Sequence, residues 1–143
     1  MINNLMVKDF LSRLTNGFFL TKPNVIYPTV DLADATVTTK TADYTVLKTE
    51  MNRIFNNTGD DGTQVLSLPA LKDVQGSCLR VAVTAAQVIR LLPLTGQAIN
   101  LNGSAVVTKY LNIAGVIGNY VDIYADEDEW VVTGYSGVVT KEA

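Results

Sequence analysis

The 143-residue sequence contains no histidine and a single cysteine, Cys78. Without an imidazole there is no Ser–His–Asp triad, no histidine general base and no histidine-ligated metal. One cysteine can neither close an intramolecular disulfide nor assemble a thiolate zinc site. Charge is sparse as well: Asp, Glu, Lys and Arg make up 17% of the chain, and the formal net charge is −3. Phosphate backbones are bound by clustered Lys and Arg, so this balance argues against a nucleic-acid partner. No stretch approaches the roughly 18 consecutive apolar residues of a membrane span. The start, Met1-Ile-Asn-Asn-Leu-Met-Val-Lys8, lacks the basic segment and long apolar run of an export signal. The expectation is a protein with no membrane partner and no cofactor, made in a cytoplasm or assembled there into something larger.

What the chain does have is apolar residues, 48% of the total. That is enough to bury a core without disulfides, at a length of about one domain. Composition shifts near residue 35. The first 34 residues divide into a short helix and an arm. Val7, Phe10, Leu11 and Leu14 follow i, i+3, i+4, i+7 spacing and share one helical face. Asn3 or Asn4 supplies a cap, and Asn16-Gly17 a stop. At about three turns this helix is marginal alone in water. In residues 18–34, Pro23 and Pro28 forbid helix, and the apolar residues recur without helical period. The segment reads as an extended arm that reaches about 58 Å at about 3.4 Å per residue. Its side chains Phe18, Phe19, Val25, Ile26 and Tyr27 are too apolar for a solvated tail. The arm either docks on a partner subunit, with Phe10 and Leu14 joining the contact, or folds back on its own domain.

Residues 35–143 are rich in Val, Ile and Thr, with Gly and Asn at regular intervals. Candidate strands are Ala35–Thr39, Tyr44–Leu47, Arg53–Phe55, Thr63–Leu68, Cys78–Thr84, Val88–Leu92, Ala98–Leu101, Ala105–Thr108, Asn119–Tyr124, Trp130–Thr133 and Val138–Thr140. Asn102-Gly103 predicts a hairpin turn between two of them. In Cys78–Thr84, Cys78 and Arg80 share a face, while Leu79, Val81 and Val83 fit the alternation less cleanly. So many strands in about 105 residues leave no room for crossover helices. The predicted fold is an all-β, antiparallel sandwich, jelly-roll-like, behind an N-terminal helix and arm.

Chemistry-bearing residues are few. Asp122 and the run Asp126-Glu-Asp-Glu129 form the main acidic cluster. Calcium loops place acids at alternating positions around a turn glycine; four consecutive acids splay apart, as at a solvated hairpin tip. Asp60-Asp-Gly62 fits a turn that needs positive φ at glycine. Cys78 sits in an apolar strand, where a buried, inert thiol is expected. Ser67, Ser77, Ser104 and Ser136 would need a lysine base, and none lies in a nucleophile motif. Gly115-Val-Ile-Gly118 has too few glycines for phosphate binding. Trp130 is either a core residue or a sugar platform. Asn56-Asn-Thr58 and Asn102-Gly-Ser104 match the glycosylation sequon and read here as turns. No active site assembles from this set, and no enzyme is expected.

The order of several short motifs does resemble a family. These are Ala42-Asp-Tyr-Thr-Val46, Ile54-Phe-Asn-Asn-Thr-Gly59, Val65-Leu-Ser-Leu-Pro69, Leu79-Arg-Val-Ala-Val83, Val88-Ile-Arg90, Pro93-Leu-Thr-Gly96, Ala98-Ile, Gly118-Asn-Tyr-Val-Asp-Ile-Tyr-Ala-Asp126 and Trp130-Val-Val-Thr-Gly134. Over about residues 40–140 the chain resembles the small β-domains of tailed-bacteriophage structural proteins, in particular the trimeric capsid decoration (cement) proteins. The resemblance implies a non-enzymatic virion component on the outer capsid surface. Its implied partners are the major capsid protein and two further copies of itself. A head-fibre or tail-fibre module that binds a host receptor or glycan is the alternative, and a hydrolase built on an Asp or Glu pair is a more distant one. A fibre normally carries a repeated shaft, which this chain does not have. The first 34 residues carry no family pattern, so the arm's role rests on its apolar side chains alone.

Overall fold

The computed structural model describes residues 36–59 and 62–143. The expected N-terminal helix and arm lie outside them. The strands are β1 (Val37–Lys40), β2 (Tyr44–Thr45), β3 (Ile54–Asn57), β4 (Gln64–Ser67), β5 (Cys78–Ala82), β6 (Ile89–Leu92), β7 (Ala98–Leu101), β8 (Ser104–Val107), β9 (Leu111–Ile113), β10 (Tyr120–Ala125), β11 (Trp130–Ser136) and β12 (Val139–Lys141). A 3-10 turn at Lys48–Glu50 precedes β3, and a one-turn helix, α1 (Leu71–Val74), precedes β5. One sheet has seven strands in the order β1-β3-β5-β10-β11-β7-β8, and the other has five in the order β12-β9-β6-β4-β2.

The fold is all-β, but the expected antiparallel arrangement is corrected. Both sheets are mixed. The pairs β1–β3, β3–β5, β2–β4, β4–β6 and β7–β11 are parallel. The pairs β5–β10, β10–β11, β7–β8, β6–β9 and β9–β12 are antiparallel. Parallel neighbours need a crossover connection, which is usually a helix. Here a strand of the opposite sheet serves instead. From β1 to β6 the chain alternates between sheets, so that β1, β3 and β5 lie side by side in one and β2, β4 and β6 in the other. Each pair of strands is one flat coil. The absence of crossover helices therefore does not imply antiparallel strands.

The inward side chains of both sheets belong to one hydrophobic cluster. Phe55, Leu79, Val81, Val121, Ile123 and Trp130 come from the larger sheet, and Leu66, Ile89, Leu91, Leu111 and Ile113 from the smaller. Leu79 and Val81 of β5, and Val83 just beyond its end, point cleanly inward, with at most 1% of their surface exposed, contrary to the irregular alternation expected there. Leu71 and Val74 of α1 cap the core at i, i+3 spacing. The turn expected at Asn102-Gly103 is present. Its residues have φ of 54° and 82°, the left-handed pair that a two-residue hairpin requires.

Two lysines bridge the lateral gaps between the sheets. On one side the Lys40 ammonium lies 3.3 Å from the centroid of the Tyr44 ring and 3.5 Å from Glu50 Oε1. On the other, Lys141 donates to the carbonyl of Ser104 and, at 2.7 Å, to its Oγ.

Candidate functional site

Short connections between oppositely directed strands sort the loops into two ends. With β3 taken as pointing up, the connections 41–43, 58–63, 83–88, 102–103, 114–119 and 137–138 lie at the upper end. Thr36 and the connections 46–53, 68–77, 93–97, 108–110 and 126–129 lie at the lower end. The N-terminal segment therefore joins the body at the lower end, through the edge strand β1.

The two ends differ in chemistry. Four of the five lower connections carry ten charged residues between them: Lys48, Glu50, Arg53, Lys72, Asp73, Lys109 and Asp126 to Glu129. The upper connections 83–88, 114–119 and 137–138 carry none. Among the described upper residues the acid is Asp43, in the β1–β2 connection at the other side of the sheets.

The uncharged upper loops are held by side-chain amides. Among the described residues the buried polar side chains are Asn57, Gln64, Gln87 and Asn119, and all four sit at this end. Asn57 donates to the Ala85 carbonyl and to Gln87 Oε1, both at 3.1 Å, and its Oδ1 accepts from the Thr84 and Ala85 amides at 2.9 and 3.1 Å. Gln64 donates to the Ala42 carbonyl at 2.8 Å, and Asn119 to that of Ala114 at 2.9 Å. Backbone hydrogen bonds from Gly118 to Val83, from Val83 to Asn119 and from Ala114 to Val138 join three loops, at 2.8–3.0 Å. Two glycines make the packing possible. A Cβ on Gly115 would lie 2.6 Å from the Gln87 carbonyl carbon, and one on Gly137, where φ is +78°, would overlap the Asn119 carboxamide. On this fixed base stand Val116, Ile117 and Val138, exposed by 62, 67 and 63% and the most exposed large apolar side chains of the described body. Sequence reasoning misses them, because Gly115-Val-Ile-Gly118 reads first against a phosphate loop. An aliphatic pair between glycines is itself the signal that was available.

The arm residues Phe10, Leu14, Phe18, Phe19, Val25, Ile26 and Tyr27 lie outside the described residues. The other singled-out residues are placed as follows. Trp130 is fully buried, as a core residue. Cys78 is buried; burial first, and then the Asp122 charge, push its thiol above the usual range and keep it protonated and unreactive. Asp122 is separated from the acidic run and instead forms a two-pronged pair with Arg80, both bonds at 2.6 Å, with the guanidinium 4.5 Å from the Tyr120 ring centroid. The pair holds neighbouring strands β5 and β10 in register. The run at 126–129 is a hairpin tip in which the Asp126 amide donates to the Glu129 carbonyl and the Glu129 carboxylate accepts from Asn100. Gly62 has the expected positive φ, at 100°. Asn56 and Asn57 end strand β3 and are not turn residues, which corrects the reading of that sequon. Ser104 does meet a lysine, but Lys141 donates to its carbonyl as well as its hydroxyl, on an exposed edge. This contact joins β12 to β8.

Glu50 is the described carboxylate with a clear shift. Burial pulls its pKa up, but the Leu47 amide, the Tyr44 hydroxyl and the Lys40 ammonium outweigh burial and hold it below the usual value. Its role is to fasten the β1–β2 edge. Chemically, then, the body offers a rigid, uncharged, apolar patch in the loops 83–88, 114–119 and 137–138 at one end and a surface bearing both charge signs at the other. No protein-family model matches the chain, and a search of curated proteins finds no match.

Proposed function

We propose that this chain is a virion structural protein: a decoration, or cement, protein that binds the outside of a tailed-phage head as a homotrimer. In this reading the two sheets stack face to face as a sandwich of interleaved coils rather than a strictly antiparallel jelly roll. The bodies associate with one another, and the arms grip neighbouring major capsid subunits through Phe10, Leu14, Phe18, Phe19, Val25, Ile26 and Tyr27. The observation that carries the reading is the attachment point of the arm. It joins the body at the charged end, opposite the uncharged loops, so gripping by the arms and contact through the loops do not compete for one surface.

Burying each arm side chain contributes about 1.5–3 kcal/mol. Ordering the arm costs about 1–2 kcal/mol per residue. The ordering cost offsets the burial gain of a single arm, so firm attachment requires the linked arms and bodies of a trimer to act together. The test is quantification of the chain against the major shell protein in purified particles, paired with deletion of residues 1–34. A near-stoichiometric ratio is expected, and a truncated body that folds but no longer binds shells. A few copies per particle would assign the chain to a fibre or tail part. Unchanged shell binding by the truncated body would remove the arm from the mechanism.

A further inference from the structure

The two sheets end in four edge strands, β1 and β8 in the larger, β2 and β12 in the smaller. We infer that Lys40 and Lys141 guard these edges: each turns its ammonium into the gap between the sheets, where it keeps the edge strand of a second copy from pairing with its own. This role is independent of the decoration reading, because it concerns pairing along the sheet edges alone.

Three observations combine. The first is the liability. An edge strand presents unpaired backbone N–H and C=O groups, a template for another strand. Among the described residues, β1, β8 and β12 carry Val37, Val106, Val107 and Val139, and no edge strand contains proline. Val37 and Val107 are exposed by 55 and 57%. The second is placement. Of the five described lysines, Lys48, Lys72 and Lys109 lie between strands. Lys40 and Lys141 lie within strands, and both of those strands are edges. The third is direction. Lysines on the outward face would stand in solvent. The Lys40 ammonium instead lies 3.3 Å from the Tyr44 ring centroid, 5.8 Å from that of the fully buried Phe55 and 3.5 Å from Glu50 Oε1. Lys141 crosses from the smaller sheet to Ser104 of the larger. Each lysine thus ties together the two edge strands of its side. A strand added beside β1 or β12 would have to extend the core over an ammonium group. Covering a charge with apolar side chains is costly, and an inward-pointing charge is one way in which native edges are blunted. Pairing through edges on both sides of one body also propagates from copy to copy, without limit unless the rotation closes a ring.

The test follows the mass of the full chain over several days, by sedimentation and light scattering at fixed concentration. Lys40→Met and Lys141→Met keep the reach of the side chain and remove its charge. Lys40→Met is made together with Glu50→Gln, so that no carboxylate is left unpaired. The wild type is expected to hold a constant mass. Each Met variant should form larger species at a rate about 10-fold or more above wild type, and a chain carrying both should do so faster still. Lys40→Arg alone and Glu50→Gln alone keep a cation in the gap and should hold the wild-type mass. A further variant separates edge pairing from simple loss of stability. The Ile54 amide donates to the Thr36 carbonyl, so in this parallel ladder Thr36 and Thr38 turn their backbone groups to β3 and Val37 and Thr39 turn theirs to the free edge. Thr39→Pro removes a donor from the free edge alone. Added to the Lys40→Met chain, it should reverse the growth, which it would not do if unfolded chains were the cause. Three results would each overturn the inference: Met variants that grow no faster than wild type, Lys40→Arg that grows as Lys40→Met does, or growth that Thr39→Pro leaves unchanged. Copy number in particles and shell binding by the truncated body are read separately, so failure here leaves the decoration reading intact and failure there leaves the edge guards intact.

Discussion

At the scale of single residues, polar side chains hold this body together where the strands end. Asn57 is 2% exposed, and its side chain makes four hydrogen bonds of 3.1 Å or less to one loop. An apolar residue there would leave the Ala85 carbonyl and the Thr84 and Ala85 amides without these partners, and buried unpaired groups of this kind cost about 1–3 kcal/mol each. Nothing in the local sequence announces this role, because an Asn that precedes Thr-Gly reads as a turn residue. Trp130 and Cys78 were legible, since a lone Trp and a lone Cys in Val-rich strands have few stable places besides the core. Glu50 yields a prediction with a defined pH dependence. Its carboxylate receives the Tyr44 hydroxyl at 2.8 Å and the Leu47 amide at 3.1 Å and faces Lys40. A carboxyl held below its ordinary pKa in the folded state contributes stability above the unfolded value, and that contribution is lost as pH falls through the folded value. Glu50→Gln is therefore expected to lower unfolding stability by about 1 kcal/mol at pH 7, a modest figure because the pair reaches solvent. The difference from wild type should close as the pH drops below the carboxylate range. Urea titrations at several pH values check this, and a gap that persists at pH 3 would remove the charge from the explanation.

At the scale of elements, ten of the twelve strands overlap stretches whose alternation or turn residues identify them from sequence, and so does an eleventh, β8, displaced by one residue. β9 did not stand out. Leu111-Asn-Ile113 is three residues long, too short to show alternation against its neighbours, and it is fixed by pairing on both sides with β6 and β12. α1 was also missed, because one turn shows no period; its buried Leu71 and Val74 are held by the core beneath. Strand direction was the larger error. Periodicity reports which face of a strand is buried, not which way its neighbour runs. The local signals of direction were the turns at 126–129 and at Asn102-Gly103, and both were correct; at the second, left-handed φ at both positions admits only a tight reversal. Replacement of Gly103 by Val places a β-branched side chain at φ of +82°. The expected cost is about 1–2 kcal/mol. Because β8 is held on its other side by Lys141, the hairpin should loosen locally and the lowered thermal midpoint should retain a single transition.

For the whole molecule, the interleaving of β1 to β6 means that successive strands never pair with each other, so the first half of the body is a stack of coils. Stacked coils fray from a free end, because the last coil has a neighbour on one side only. Here β1 and β2 are the terminal strands of their sheets and belong to the same coil. That coil carries little core of its own. Val37 and Thr39 are exposed, and its attachment rests on Tyr44, Val46 and the Lys40–Glu50 contact. By contrast, β5 and β10 lie at the centre of the larger sheet, and Leu79, Val81, Val121 and Ile123 are fully buried there. Local opening should follow this gradient. In native-state hydrogen exchange, the amides of β1 and β2 are expected to exchange first, through an opening that releases one coil. The amides of β5 and β10 should exchange only with global unfolding. Glu50→Gln then becomes a spatial probe: it should accelerate exchange in β1 and β2 well beyond its effect on β5 and β10. If all strands accelerate equally, the terminal coil does not open alone and the body unfolds as one cooperative unit. If the selective pattern holds, residues 1–35 are attached to the most easily opened coil of the fold. Force applied through the N-terminal segment would then reach the buried centre only after that coil has yielded.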